Sequence, residues 1–231
     1  MMYDHGPPTA AERVLDWDCG VSWVAHPSET GRRASHALET EEGVWLVDPL
    51  AATDLGDLLD PLGPVVGVAV CSSWHARDAG VLARRHDVSV HVPAWMDRVA
   101  ERVDAPVERY TLTPAESFRV LPCRPFPLFQ EVFLFHEQTG TLVVPDSLGT
   151  VDHWRLGAER LGMPPFRRPQ PPVQLRGLNP ERVLVGHGSG VTERAPEALE
   201  TALSGVRRST PRALVEHGPE MLRGLADALR G

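Results

Sequence analysis

Along the first fifty residues, short β-branched and aromatic runs alternate with polar turns. The runs are CGVSWVA (19–25), ASHALE (34–39) and VWLV (44–47), connected by HPSETGRR and ETEEG. Connections this short and polar join antiparallel neighbours, so an antiparallel sheet is predicted to open the fold. After Asp48 the rhythm changes. Residues 53–59 read as a short helix and Val65–Val70 as a buried strand. Residues 76–86 form a helical pattern with Ala79, Leu82 and Ala83 on one face, followed by a strand at 88–92 and a helix at 95–103. Strands that alternate with helices pair in parallel.

Further strands are predicted at 118–121, 131–135, 141–144 and 182–185, with HEQTG as a hairpin turn between the second and third. Helices are predicted at 151–161, 193–203 and 211–229, with Thr210 as N-cap of the last. MPPFRRPQPP (163–172) is too rich in proline for a helix interior or a central strand, and reads as a surface excursion or lid. Two strand-rich halves flanked by helices predict an α/β fold. Its form is a four-layer α/β/β/α sandwich of two mixed sheets, helices on the outer faces, as one domain over residues 1–231.

Composition narrows the function classes. With 42% apolar and 23% charged residues the chain is an ordinary globular one. Its net charge of −8 argues against nucleic acid or an anionic membrane as partner, which leaves a small-molecule substrate. Cys19, Cys71 and Cys123 are widely spaced, without a CxxC pair, and the N-terminus lacks the basic and apolar regions of a signal peptide. Both features point to a reducing, cytoplasmic setting. Oligomeric state is left open.

Three loops share one pattern, an apolar strand followed at once by a polar, ligand-type residue: VVGVAVCSSWHARD, TLVVPDS and RVLVGHGSG. Ligands in α/β folds gather where strands end and loops converge. The residues these loops offer are His75, Asp78, Asp146 and His187. Imidazoles and carboxylates in this mixture suit a divalent metal, zinc first, with iron or manganese as alternatives. Asp48, between VWLV and Pro49, reads as a cap for the next turn.

The order of these loops resembles the metallo-β-lactamase fold superfamily, over about residues 21–203. VWLVDPL matches the Asp-containing strand, CSSWHARDAG the metal-ligand turn HxHxDH, TLVVPDSLG the bridging carboxylate, and VLVGHGSG the last histidine turn. Within the HxHxDH pattern, Ser73 stands at the first histidine, His75 at the second, Arg77 at the aspartate and Asp78 at the last histidine. The remaining family histidine would fall near LPCRPFPLF, where Arg124 stands instead.

The resemblance implies a hydrolase in which one divalent metal, held by His75, Asp78, Asp146 and His187, activates water. Asp146, Asp78 and His75 would serve the chemistry, and Ser73, Arg77 and Arg124 would meet a small, anionic ester, thioester or phosphoester. Arg77 decides the matter. A guanidinium is never deprotonated in proteins, so it opposes a second metal. If it points away, one metal fits; if it folds in and pairs with Asp146 or Asp78, it replaces the metal and leaves a non-catalytic binding protein.

Overall fold

The computed structural model describes residues 2–230. Seven strands lie side by side in chain order: β1 (Glu12–Trp17), β2 (Gly20–Val24), β3 (Ala34–Thr40), β4 (Gly43–Val47), β5 (Val65–Ala69), β6 (Val90–Pro93) and β7 (Val107–Tyr110). The first four pair antiparallel and the last four parallel, with β4 common to both sets. The change follows from the connections, because parallel strands need crossovers. These are supplied by α1 (Leu55–Leu59), α2 (Ala79–His86) and α3 (Asp97–Ala100).

The second sheet has the order β11-β10-β9-β8, from β8 (Arg119–Phe126), β9 (Phe129–His136), β10 (Thr141–Val144) and β11 (Arg182–Val185). Here β8, β9 and β10 run antiparallel, and β10 and β11 parallel. Side chains alternate between its two faces, as the strand period requires. Val132, Leu134, Val143 and Leu184 pack against the core of the larger sheet. Phe133, Phe135, Leu142, Val144, Val183 and Val185 face the other way, onto Ala195, Ala198, Leu199, Ala202 and Leu203 of α4 (Ala195–Leu203). The four-layer arrangement predicted from the sequence is the one observed.

Several expectations are corrected. Neither β1 nor β7 was predicted; both are half-exposed edge strands with little apolar signal. The expected helix at 95–103 shrinks to the single turn of α3. The expected helix at 151–161 is a loop, with one helical turn at Asp152–Trp154. Gly149 and Gly162 close that loop by exchanging two backbone hydrogen bonds, of 3.0 and 2.8 Å. Residues 163–172 are no surface excursion, since Arg167 and Arg168 inside them are fully buried. Arg168 donates to the Trp154 and Met163 carbonyls, the Glu159 carboxylate and Ser209 Oγ at 2.7–3.0 Å. Its planar fork satisfies carbonyls that a helix would have bonded internally. Thr210 is the first residue of α5 (Thr210–Arg230), not its cap. Among the described residues no helix is long and apolar enough to cross a membrane.

Candidate metal centre

The C-terminal ends of β4, β5, β10 and β11 meet at one rim between the sheets, and each delivers one residue there: Asp48, His75, Asp146 and His187. Rigid strand ends give the precision a site needs. Gly186 permits the closest approach. A Cβ on it would lie 2.3 Å from the Pro145 carbonyl oxygen and 2.8 Å from Cε1 of His75.

His75, Asp146 and His187 are buried, and one ligand atom from each lies within 4.8 Å of the others. Asp146 Oδ1 sits 3.1 Å from Nε2 of both imidazoles. The other ring nitrogens are already engaged. His75 Nδ1 lies 2.8 Å from Asp48 Oδ2, and His187 Nδ1 2.7 Å from the Gly31 carbonyl oxygen. Carboxylate and carbonyl oxygens only accept, so each Nδ1 must carry the proton and donate it. Both neutral rings then turn an Nε2 lone pair on Asp146 Oδ1, itself an acceptor. Three convergent lone pairs repel unless a positive centre stands among them: an added proton, a metal ion, or a guanidinium such as that of Arg77, whose Nη2 lies 3.1 Å from His75 Nε2. The rings are also oriented as metal-bound histidines are, with the far N–H tied to a carboxylate or a backbone carbonyl. The donor set fits one divalent ion.

Protonation follows the same geometry. Burial would lift the Asp146 carboxyl, but the two imidazoles and their hydrogen bonds hold it well below the usual carboxylate range. Burial and Arg77 depress His75, yet Asp146 and Asp48 outweigh them and raise it above the ordinary imidazole value. His187 is lowered by burial.

Arg77 folds into the site, one of the two orientations that the sequence left open, but it does not pair there with Asp146 or Asp78. Its Nη1 donates to the carbonyls of Ala34 (2.6 Å) and Asp48 (2.8 Å), and Nη2 to that of Gly186 (3.2 Å). Nη2 also lies 3.1 Å from His75 Nε2 and so competes with any ion for that lone pair. Both Asp48 and Arg77 hold positive φ, 47° and 41°. Strain of this kind in non-glycine residues persists where surrounding contacts enforce it.

The other expected site residues stand elsewhere. Asp78 lies outside the ligand group; its Oδ2 accepts from the Ala51 amide at 2.8 Å and ties α2 to the loop after β4. Ser73 pins the turn to β9 through the Gln130 backbone, donating its N–H at 2.8 Å and accepting at 3.2 Å. Arg124 is exposed and stacks over Trp95, 5.1 Å from the ring centroid. Three further residues act on the ligands: Asp48, expected only as a turn cap, and Ser72 and Glu131, which the sequence did not single out. Asp48 is no mere turn cap, since it orients His75 and also accepts the Cys71 amide at 2.7 Å. Ser72 donates to Asp146 Oδ2 at 2.5 Å. Glu131, buried in β9, accepts from the amides of Asp146 (3.1 Å) and Ser147 (3.0 Å), and burial with the nearby Asp146 raises it to about 7. The signal for Asp48 was present, because the run VWLVD ends in an acid as TLVVPD does.

Asp48→Asn keeps the shape while removing the charge that fixes the His75 tautomer. Divalent-metal affinity is expected to fall about 10–100-fold, the usual cost of losing such a partner. A titration of metal-stripped protein checks it, and unchanged affinity would remove Asp48 from the site.

No family model matches the chain, and no curated protein matches it. Solved structures do. The crystal structure of the DIM-1 metallo-β-lactamase exposed to ceftazidime superposes with a TM-score of 0.61 at 10% identity, over 88% of this chain and 100% of that one. A metallo-β-lactamase from Pontibacter korlensis gives 0.59 at 15% identity, over 84% and 99%. The metallo-β-lactamase FIM-1 from Pseudomonas aeruginosa, in its mono-zinc form, gives 0.58 at 12% identity, over 87% and 96%. Likeness at these identities lies in the architecture, and on that ground the chain has the metallo-β-lactamase fold.

Proposed function

We propose that the protein is a hydrolase dependent on a single divalent metal, held by His75 Nε2, His187 Nε2 and Asp146 Oδ1. The observation that carries this is the convergence of three lone pairs whose far sides are already tied, by Asp48, Gly31 and Ser72. Zinc is the first choice, since two imidazoles and a carboxylate suit it and the FIM-1 neighbour is described in a mono-zinc form. Bound there, the ion would supply Lewis acidity, lowering the pKa of water and polarising a carbonyl or phosphoryl oxygen. The chain contributes the rest. Asp48 fixes the His75 ring and Ser72 fixes Asp146, while Arg77, its Nη groups engaged by Ala34, Asp48, Gly186 and His75, contributes positive charge to the rim that favours an anionic substrate. A small ester, thioester or phosphoester bearing a negative charge is the substrate class that fits.

A second reading, a metal-free binding protein, is favoured by one observation: Arg77 Nη2 already occupies the approach to His75 Nε2. Metal analysis of protein purified without chelator separates the two. The hydrolase reading expects close to one ion per chain. Added zinc at a hundred times its Kd should then stabilise the fold by about 2.7 kcal/mol, because only the folded form binds. His187→Ala and Asp146→Asn should abolish that response. No ion and no stabilisation in the parent chain would leave the scaffold reading.

A further inference from the structure

The N-terminal residues lie across the loop that holds His187, and each anchor is specific. The Gly31 amide donates to the Met2 carbonyl at 2.8 Å. The Asp4 amide donates to Glu29 Oε2 at 2.9 Å, and Arg33 Nη2 to the Asp4 carbonyl at 2.5 Å. Glu29 is buried and also accepts from the amide and guanidinium of Arg33, so the clamp is an internal ion pair with little exposure. Between these anchors the Tyr3 ring lies against Arg33, 5.4 Å from Cζ to centroid, and 6.1 Å from the His187 ring. Among the described residues the Tyr3 hydroxyl makes no hydrogen bond.

Gly31 joins the two halves of this arrangement. Its N–H holds the strap through Met2, and its carbonyl takes the His187 Nδ1 proton. A Cβ on Gly31 would meet Tyr3 Cε1 at 2.5 Å and the Met2 carbonyl oxygen at 2.8 Å, so its nearest obstacles all belong to the strap. Gly31 is not among the residues of positive φ, so its backbone alone does not demand glycine. What demands it is the close passage of residues 2–4.

We propose that Met2–Asp4 is a working part of the metal centre, a strap that seats the Gly31 carbonyl against His187 and lays Tyr3 beside that imidazole. This rests on the single-metal reading above. Gly31 and Tyr3 act as positioning residues, fixing which His187 nitrogen faces Asp146.

The test uses full-length chains stripped of metal: the parent, Gly31→Ala and Tyr3→Ala. Cobalt(II) is the probe, titrated by its visible absorption, and long-range proton–nitrogen NMR reads the imidazole tautomers. Gly31→Ala is expected to raise the cobalt Kd about tenfold or more, the scale on which lost orienting contacts act. It should also shift His187 away from the Nδ1–H tautomer while leaving His75 unchanged. Tyr3→Ala should move both readouts in the same direction by less, and carries the test if Gly31→Ala fails to fold. Parental Kd values with an unaltered His187 signal in the variants would overturn the proposal. Should the parent bind no cobalt, the hydrolase reading falls, and the tautomer comparison alone decides whether the strap positions His187.

Discussion

Arg77→Ala is expected to produce two effects of opposite sign: a metal-free fold weaker by about 3–5 kcal/mol and divalent-metal binding tighter by about tenfold or more. The first follows from what the side chain leaves behind. Carbonyls of Ala34, Asp48 and Gly186 lose a charged donor, and the buried carboxyl groups of Asp48 and Asp146 lose a nearby cation. The second follows from what it vacates. A unit and a double positive charge about 4 Å apart repel by roughly 8 kcal/mol at an effective dielectric near 20. The two carboxylates offset part of this, and a small remainder suffices for the expected tenfold change. Removal of the guanidinium also frees the His75 Nε2 lone pair. Denaturant unfolding in chelator reads the first effect and cobalt titration the second. Arg77→Lys should rescue neither stability nor geometry, because an ammonium lacks the planar fork that spans three carbonyls. Weaker metal binding in Arg77→Ala would show that the guanidinium supports the ion, and would end the competition argued here.

The second large effect is an acid sensitivity placed in β3. His36 is buried, with Nδ1 2.7 Å from Ser22 Oγ and, among the described residues, no hydrogen-bond partner for Nε2. Burial pushes its pKa down to about 3 from the ordinary 6.5, with Asp48 opposing and Arg77 assisting. The unfolded chain therefore takes up a proton below pH 6.5 that the folded chain refuses. Stability is full above 6.5, declines as pH falls and levels off near pH 3, for a total of about 4–5 kcal/mol. Urea unfolding of the parent and of His36→Gln at pH 7, 5.5 and 4 checks this, and the variant should show a shallower pH slope by about one proton. His153, lowered to about 4 mainly by burial, and Glu131, raised to about 7 mainly by burial, also shape the curve. Their contributions are common to both chains and cancel in the difference. Parallel curves for parent and variant would place the acid sensitivity elsewhere.

Much of the architecture was legible because it is local. Strands β2 to β5 announce themselves by apolar runs between polar turns, and the switch from short turns to helical connections predicts the switch from antiparallel to parallel pairing. The positions of His75, Asp146 and His187 were readable for the same reason, since the loop that leaves the end of a buried strand sits on a rim. Edge strands β1 and β7 were not readable. They bury too little to leave a pattern. The segment 151–172 misled more seriously, because apolar and proline-rich composition does not reveal that Arg167 and Arg168 will be fully buried as hydrogen-bonding hubs.

What the sequence determined by itself is the layered frame and the three loops that approach one rim, through periodicity and strand ends alone. Only the tertiary structure decided what those side chains do on arrival. Arg77 is aimed by a positive φ and by the Gly186 carbonyl 109 residues away, and His187 is oriented by a carbonyl at Gly31, 156 residues earlier. Asp78, adjacent in sequence, is drawn off to cap a loop, while Asp48, from another strand, takes over the orientation of His75. Side-chain direction depends on partners that folding brings together, and no local pattern encodes them.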